Sequence, residues 1–91
     1  MTQICMHGFV SGLVQGVGYR QATAEKAEEL ELNGWTRNLA DSRVEVLCEG
    51  EQDAVEVFVE WLKQGPQAAD VSEVSLTEQP LQGIAGFIVR R

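Results

Sequence analysis

The residues best suited to chemistry lie in the segment GLVQGVGYR at 12–20, where glycines precede a tyrosine and an arginine. A loop of glycines leaves successive backbone N–H groups clear of side-chain bulk, so that they can turn inward around an anion. A helix starting near Arg20 would direct its unpaired N–H groups and its positive dipole end to the same place. The Arg20 guanidinium adds donors that match two phosphate oxygens. The segment therefore predicts a phosphate-sized cradle.

The same loop also has a neutral interpretation. Glycines between a strand and a helix can simply supply the positive φ angles of a tight turn, and the spacing alone does not decide between the two. Two nucleotide motifs are excluded. The dinucleotide fingerprint needs a third glycine where Gln21 stands, and the mononucleotide loop needs Lys and then Ser or Thr after Gly18.

Strands and helices predicted from hydrophobic periodicity must position this loop. Apolar positions with helical spacing and the breakers Asn33-Gly34 and Gly65-Pro66 mark two helices. The predicted order is strand 3–13, helix 20–33, strands 35–40 and 43–49, helix 51–64, and strands 71–77 and 84–90. This order predicts an α+β, ferredoxin-like split βαβ sandwich. In it, two helices pack on one face of a four- to five-stranded antiparallel sheet, and the position of the last strand is open.

Composition narrows the class of protein. The chain has 91 residues, 44% of them hydrophobic and 23% charged, which predicts a single soluble domain over residues 1–91. A net charge of -7 argues against a general nucleic-acid binder, since neutralising phosphates requires a basic surface. No apolar run has the length of a membrane span and no basic leader precedes one. We expect a cytoplasmic protein, monomeric by default, that contacts neither membrane nor nucleic acid.

Cysteine and histidine are too few to indicate a metal centre. The chain has two cysteines, Cys5 and Cys48, and one histidine, His7, with none of the usual metal-site spacings. The alternation of the predicted strands places Cys48 on the core face and Cys5 with His7 on the other face. Side chains on opposite faces cannot form a disulfide without distortion, so we expect free thiols. We expect His7 at the surface, and Trp35 and Trp61 in packing roles.

Two signatures together resemble the acylphosphatase family. The segment GLVQGVGYR matches its glycine, Val-Gln-Gly-Val, glycine, aromatic, arginine pattern. The segment GWTRN at 34–38 matches its Gly-aromatic-x-x-Asn pattern, which continues here to Val44 and Gly50. Chain length, element order and the closing FIVRR also fit, so the resemblance covers essentially the whole chain. Both signatures at the right separation are far more specific than either alone.

The resemblance implies an activity and assigns residues to it. Members of this family hydrolyse the carboxyl-phosphate bond of small acyl phosphates, giving a carboxylate and inorganic phosphate, without a metal or organic cofactor. By motif position, Arg20 binds the phosphoryl oxygens and Asn38 orients the attacking water. An isolated asparagine near a turn usually only satisfies backbone groups, but its place in the signature favours catalysis. The implied phosphate-binding set, which phosphate or sulfate could occupy, is Gln15, Gly16, Val17, Gly18, Tyr19 and Arg20.

Three positions depart from the commonest family pattern. Tyr19 replaces a phenylalanine and adds a hydroxyl. Thr36 adds a polar group where a small apolar residue is usual, and Ser42 replaces a glycine of the hairpin turn. If that turn needs positive φ, serine costs about 1 kcal/mol there. We expect these departures to affect local stability and the strand that carries Asn38, while every residue of the implied chemistry is present.

Two other functions fit the fold. A binding module would hold phosphate or sulfate in the same cradle without turnover, but it would have no need of the amide of Asn38. An RNA-binding module would need exposed sheet aromatics and a basic surface. Phe9 is the one aromatic residue expected on the outward face of the first strand, and the net charge is acidic, so this function is disfavoured.

Overall fold

The computed structural model describes residues 2–90, which form one sheet with two helices packed on one of its faces. None of the helices in this part of the chain is long and apolar enough to cross a membrane. The elements are β1 (Gln3–Leu13), α1 (Tyr19–Glu29), β2 (Asn33–Asn38), β3 (Val44–Glu51), α2 (Gln52–Gln64), β4 (Asp70–Gln79) and β5 (Phe87–Arg90). The α+β ferredoxin-like fold predicted from the element order is confirmed.

The strands lie in the order β4-β1-β3-β2-β5. Antiparallel pairs join β1 to β3 and β4, and β2 to β3. The last strand is parallel to β2, so the sheet is mixed rather than wholly antiparallel as predicted. The reason is the route of the chain. After β4, at one edge, residues 80–86 lead across the face opposite the helices, and the chain enters the other edge in the direction of β2.

The first helix is shorter than predicted, ending at Glu29 rather than residue 33. Its end is a Schellman motif, in which Leu32 N–H donates to Ala27 O at 2.8 Å and Glu31 N–H donates to Glu28 O at 3.0 Å. Glu31 takes the left-handed position with φ 58°. The helix stop therefore precedes the Asn33-Gly34 pair, and it was missed because glutamate is a good helix former.

The core lies between the helices and the inner face of the sheet. Helix α2 contributes Val55, Phe58 and Leu62, and β3 contributes alternate residues from Val44 to Cys48. Cys5 and Cys48 are both buried and free, as expected. Burial raises the pKa of the Cys48 thiol to about 12, so this thiol stays protonated.

The side chains on the outer face of the sheet make more contacts with one another than the sequence predicted. His7 is only half-buried, and its Nε2 lies 2.7 Å from the Glu45 carboxylate. Trp35 lies on this face, where it packs against the guanidinium groups of Arg37 and Arg90, whose carbons are 5.6 and 4.8 Å from its ring centroid. Trp61 has the predicted packing role, against Phe58 and Tyr19.

Two buried glutamates on β3 organise this outer face. Glu45 accepts a hydrogen bond from Arg37 Nε at 2.6 Å in addition to its contact with His7. Burial alone would raise the pKa of Glu45, but these hydrogen bonds outweigh it and lower the pKa below its usual value. Glu49 accepts backbone N–H groups of residues 80–86 instead. These bonds likewise outweigh burial and lower the pKa of Glu49.

We predict that these two carboxylates make the fold acid-sensitive. Because their pKa values are lower in the folded chain, the unfolded chain binds more protons in acid, and stability rises with pH there. The two carboxylates contribute fully to the free energy of unfolding above the pKa of an unfolded glutamate, about 4.3. This contribution is lost as the pH falls through their lower pKa values in the folded chain. Glu45→Gln and Glu49→Gln should each flatten this acid limb in urea unfolding measured from pH 7 to pH 3.

Leu47 supplies the matched control for this experiment. It lies between the two glutamates on the same strand and face and is buried but uncharged. Leu47→Ala should lower the free energy of unfolding at every pH and leave the slope of its pH dependence unchanged. An acid limb equally steep in wild type and in both glutamine variants would contradict the assignment.

Two non-glycine residues of the described chain have positive φ, and both should be sites of stabilisation. The first is Ser42, whose φ of 79° confirms the strain expected in the hairpin turn, and the second is Glu31 at the end of α1. Ser42→Gly and Glu31→Gly should each raise the free energy of unfolding by about 1 kcal/mol, because glycine adopts this conformation without a Cβ clash. Ser75→Gly, in an exposed position of β4, should instead destabilise by about 0.5–1 kcal/mol. Chemical denaturation at pH 7 measures all three, and destabilised glycine variants at 31 and 42 would refute the strain.

Thr36 should limit stability for a different reason. Its side chain is 0% exposed, and Oγ1 has no hydrogen-bond partner among residues 2–90. Thr36→Val replaces this unpaired hydroxyl with a methyl group of similar size and should stabilise the protein by about 1–2 kcal/mol. Thr36→Ser keeps the hydroxyl, loses a buried methyl and should destabilise. Thermal unfolding of both variants tests the prediction, and a less stable valine variant would show that the hydroxyl is satisfied.

Candidate active site

A cavity of about 200 Å³ opens where the loop after β1 meets the start of α1, the end of β2 and β5. It brings together Arg20 and Asn38, the residues to which the two signatures assign the chemistry. Elements distant in sequence therefore meet at one site. The residues that line it are Val14, Gly16, Gly18, Tyr19, Arg20, Gln21, Asn38 and Val89.

The loop has the backbone alternation that an anion-binding loop requires. Gly16 and Gly18 have φ of 74° and 78°, whereas Val17 between them is not among the residues of positive φ. A Cβ added to either glycine would meet no atom within 4 Å, so the loop needs glycine for its conformation and not for close packing. When successive residues alternate between right-handed and left-handed backbone conformations, their N–H groups point toward a common centre.

Helix α1 begins directly on this loop. Gly18 is its N-cap in the left-handed conformation, and no side chain in the described chain caps it. The first helical hydrogen bond runs from Ala22 N–H to Gly18 O at 3.0 Å. The N–H groups of residues 19–21 precede that bond, so they have no partner within the helix. Together with the dipole, they make the cavity wall a donor surface for an anion.

Gln15 fixes the loop against the turn that follows β2. Its Nε2 donates to Leu39 O at 2.8 Å and to Arg43 O at 2.9 Å. These two carbonyls belong to opposite sides of the β2–β3 turn, and Leu39 immediately follows Asn38. The side chain of Gln15 therefore holds the two signature segments together, and the phosphate contact predicted for its backbone N–H stays a prediction.

Arg20 lies in the first turn of α1 and is half-buried. Its Nη1 donates to the backbone carbonyl of Arg90 at 2.8 Å, which links it to β5. An arginine side chain has five N–H donors, so most remain for a ligand. The contact restricts the guanidinium to the cavity mouth beside Val89.

Asn38 is the last residue of β2 and pairs with Val44 on β3. The strand that carries it is regular in spite of Thr36, contrary to the expected disturbance. Its Oδ1 is buried and has no hydrogen-bond partner among residues 2–90. Asn38 also lines the cavity, so its side-chain amide belongs to the wall of the site and has an acceptor that no group among residues 2–90 uses.

Tyr19 anchors the start of α1 to the end of α2. Its ring is buried and its hydroxyl donates to Leu62 O at 2.7 Å. Leu62 lies in the last turn of α2, where carbonyls lack a helical partner. Burial raises the pKa of Tyr19, so the hydroxyl remains a donor at any working pH. The tyrosine that departs from the family pattern thus satisfies a buried carbonyl that a phenylalanine would leave to other partners.

The structure places most of the predicted site residues around the cavity. Gly16, Gly18, Tyr19 and Arg20 of the phosphate-binding set line it, as does Asn38. The side chain of Val17 packs against the core and that of Gln15 fastens the loop, and neither residue is among those that line the cavity. The contacts predicted for their backbone N–H groups stay predictions. The sequence missed three lining residues: Val14, Gln21 and Val89. The first two adjoin the predicted cradle, whereas Val89 could not be found without the position of the last strand.

Among residues 2–90, no group of three or more histidine, cysteine, aspartate or glutamate side chains could hold a metal ion. The residues that line the cavity include one cation, Arg20, and two side-chain amides, Gln21 and Asn38, together with the buried Tyr19, two glycines and two valines. Its positive character comes from Arg20 and the helix start. This donor set suits an oxyanion better than a cation.

Comparison with known proteins agrees with the geometry of the site. A model of the acylphosphatase family matches residues 6–89. An acylphosphatase from Pseudomonas aeruginosa is 58% identical over 91 residues, which is 100% of both chains. The solved structure of an acylphosphatase from Coxiella burnetii has a TM-score of 0.94 and 43% identity, covering 97% of this chain and 93% of that one.

An acylphosphatase from Bacillus subtilis gives the same result at lower identity. Its crystal structure has a TM-score of 0.92 and 36% identity, and the match covers 99% of this chain and 100% of that one. Sequence and structure therefore agree over the same span, which includes both segments that meet at the cavity. On that full-length likeness, the chain belongs to the acylphosphatase family.

Proposed function

We propose that the protein is a hydrolase that cleaves the carboxyl-phosphate bond of small acyl phosphates, releasing a carboxylate and inorganic phosphate. The observation that carries the proposal is the meeting of Arg20 and Asn38 at one cavity whose wall is the start of α1. Relatives of the same length bear the name acylphosphatase, which supports the same reaction. That the protein acts as a cytoplasmic monomer stays a prediction from its sequence.

In the proposed complex, the phosphoryl group lies in the cradle. Arg20 contacts two of its oxygens, and the N–H groups of the loop and of the first turn of α1 contact the others. Phosphoryl transfer needs mainly positioning and stabilisation of charge, because the protein does little covalent chemistry. A guanidinium and fixed backbone dipoles supply both without reorganisation during the reaction.

Asn38 orients the attacking water. Its side-chain amide neither gains nor loses a proton at neutral pH, but it can accept and donate hydrogen bonds. In the proposed complex, Oδ1 of Asn38, which has no partner among residues 2–90, accepts an O–H of this water. The other side of that water then faces phosphorus, in line with the carboxylate that leaves.

The bond changes balance without a cofactor. The water oxygen forms a bond to phosphorus while the bond from phosphorus to the acyl oxygen breaks, and the electron pair of that bond leaves with the carboxylate. A carboxylate is a good leaving group, so no strong general acid is required. The water proton passes to a phosphate oxygen or to bulk water, and we propose that no metal ion takes part.

Substitution of the two residues tests their roles separately. Arg20→Ala should reduce kcat/KM for benzoyl phosphate by at least about 10³-fold and should weaken inhibition by inorganic phosphate, because it removes the charged partner of the phosphoryl group. Asn38→Ala should reduce kcat by about 10²–10³-fold and leave phosphate inhibition nearly unchanged, because phosphate does not need the positioned water.

The assay is run in the presence of EDTA, with Gln21→Ala as the control. Gln21 lines the same cavity but has no assigned role, so its variant should keep activity within about fivefold. Wild-type activity lost in EDTA would contradict the metal-free reaction. Phosphate binding by calorimetry without any hydrolysis would instead favour a binding module, and full activity in either alanine variant would refute its assignment.

A further inference from the structure

Residues 80–86, called the strap here, connect the two edges of the sheet across its outer face. Most of the strap is exposed, including Leu81 at 53%. Little apolar burial therefore holds it in place. Its position depends instead on polar contacts with the sheet beneath it.

Glu49 supplies the central contact. Its side chain is on β3, the middle strand, and the residue is 5% exposed. Oε2 accepts Gln82 N–H at 2.7 Å and Oε1 accepts Ile84 N–H at 2.8 Å. Both carboxylate oxygens therefore bind backbone of the strap. Backbone hydrogen bonds to an ionised carboxylate are stronger than those to a neutral acceptor.

Asn33 supplies a second contact at the end of the strap. Its Oδ1 accepts Gly86 N–H at 2.9 Å, and Gly86 O accepts Gly34 N–H at 2.9 Å. The chain then enters β5 without an intervening residue, because Phe87 follows Gly86 directly. The anchors at Glu49 and Asn33 therefore determine where β5 starts.

The strand after the strap reaches the cavity on the other side of the sheet. Val89 lines the cavity, and Arg90 O accepts the hydrogen bond from Arg20 Nη1. β5 is an edge strand of four residues that pairs with one strand, β2, and its first residue, Phe87, packs against Phe58 in the core. A shift of β5 would displace the guanidinium of Arg20, because Arg90 O on β5 accepts the hydrogen bond from Arg20 Nη1.

We propose that Glu49 is a positioning residue for Arg20. Its carboxylate fixes the strap, the strap sets the position of β5, and β5 holds the guanidinium through the carbonyl of Arg90. The inference rests on the proposed function, in which Arg20 binds the phosphoryl group. Glu49 does not contact the cavity, so its effect on catalysis is indirect.

The proposal predicts which kinetic constant changes. A misplaced guanidinium binds the phosphoryl group more weakly in the ground state and the transition state alike, which raises KM more than it lowers kcat. Asn38 is on β2 and keeps its place. Glu49→Gln should therefore raise KM for benzoyl phosphate and the Kd for inorganic phosphate by about tenfold, and lower kcat by less than about threefold. Asn33→Ala should change both constants in the same direction.

Glu45→Gln is the matched control. It removes a buried carboxylate from the same strand and face, but Glu45 contacts His7 and Arg37 and not the strap. Its KM and phosphate Kd should stay within about twofold of wild type. Should Glu49→Gln fold poorly, Asn33→Ala keeps the buried carboxylate and carries the test by itself.

A double variant separates the positioning role from a general loss of stability. In an Arg20→Ala background, Glu49→Gln should leave the phosphate Kd unchanged, because the guanidinium that it positions is absent. Unchanged phosphate Kd in both Glu49→Gln and Asn33→Ala would overturn the inference, as would an equal rise in Glu45→Gln or an additive rise in the double variant.

These outcomes differ from those that would overturn the proposed function. Full activity in Arg20→Ala, or a wild-type chain that neither binds phosphate nor hydrolyses benzoyl phosphate, would overturn both. A chain whose activity depends on Arg20 but not on Glu49 or Asn33 would overturn only the positioning role.

Discussion

The site depends above all on the hydrogen bonds that join the glycine loop after β1 to the β2–β3 turn, two segments that are far apart in sequence. One amide, that of Gln15, donates to the carbonyls of Leu39 and Arg43 and so ties the glycine loop to the β2–β3 turn. The other contacts that fix the loop are β1 at one end, the buried ring of Tyr19 at the other, and Val17, which packs against the core. A neutral side chain is suited to this task, because it binds two carbonyls without adding a charge beside an anion site.

The same hydrogen bonds help to explain why the fold tolerates Ser42 and Thr36, which depart from the commonest family pattern. Ser42 lies in the strained turn, yet that turn is held from outside by Gln15 and from within by the hydrogen bond of Leu39 N–H to Arg43 O. Thr36 buries an unpaired hydroxyl one position away from Arg37, whose bond to Glu45 holds the outer side of β2. Each residue destabilises the fold locally, by about 1–2 kcal/mol, and the surrounding contacts are sufficient to hold the backbone in place.

The sequence predicted the parts of the site that depend on local chemistry. Glycine, an aromatic residue and arginine before a helix are sufficient to predict the cradle, and alternation in the strands is sufficient to place Cys5 and Cys48 on opposite faces. It could not predict what depends on tertiary contacts. The parallel pairing of β5, the packing of Val89 beside the cavity, and the burial of Glu45 and Glu49 all arise from the route of residues 80–86 over the outer face. The end of α1 was missed because Glu31 takes a conformation that its residue type disfavours.

Charge gives the site a second constraint. The chain carries a net charge of -7, and among the described residues that line the cavity the positive groups are Arg20 and backbone N–H groups. Fixed dipoles act over a few ångströms, whereas the repulsion of many surface carboxylates extends over a Debye length of about 8–10 Å. A small dianion that fits inside the cradle gains the short-range attraction and meets little of the repulsion. A long polyanion gains the same attraction at one phosphate and is repelled along the rest of its length. On the proposed function, we infer that this arrangement favours small phosphorylated molecules and that the acidic surface takes part in selecting the substrate.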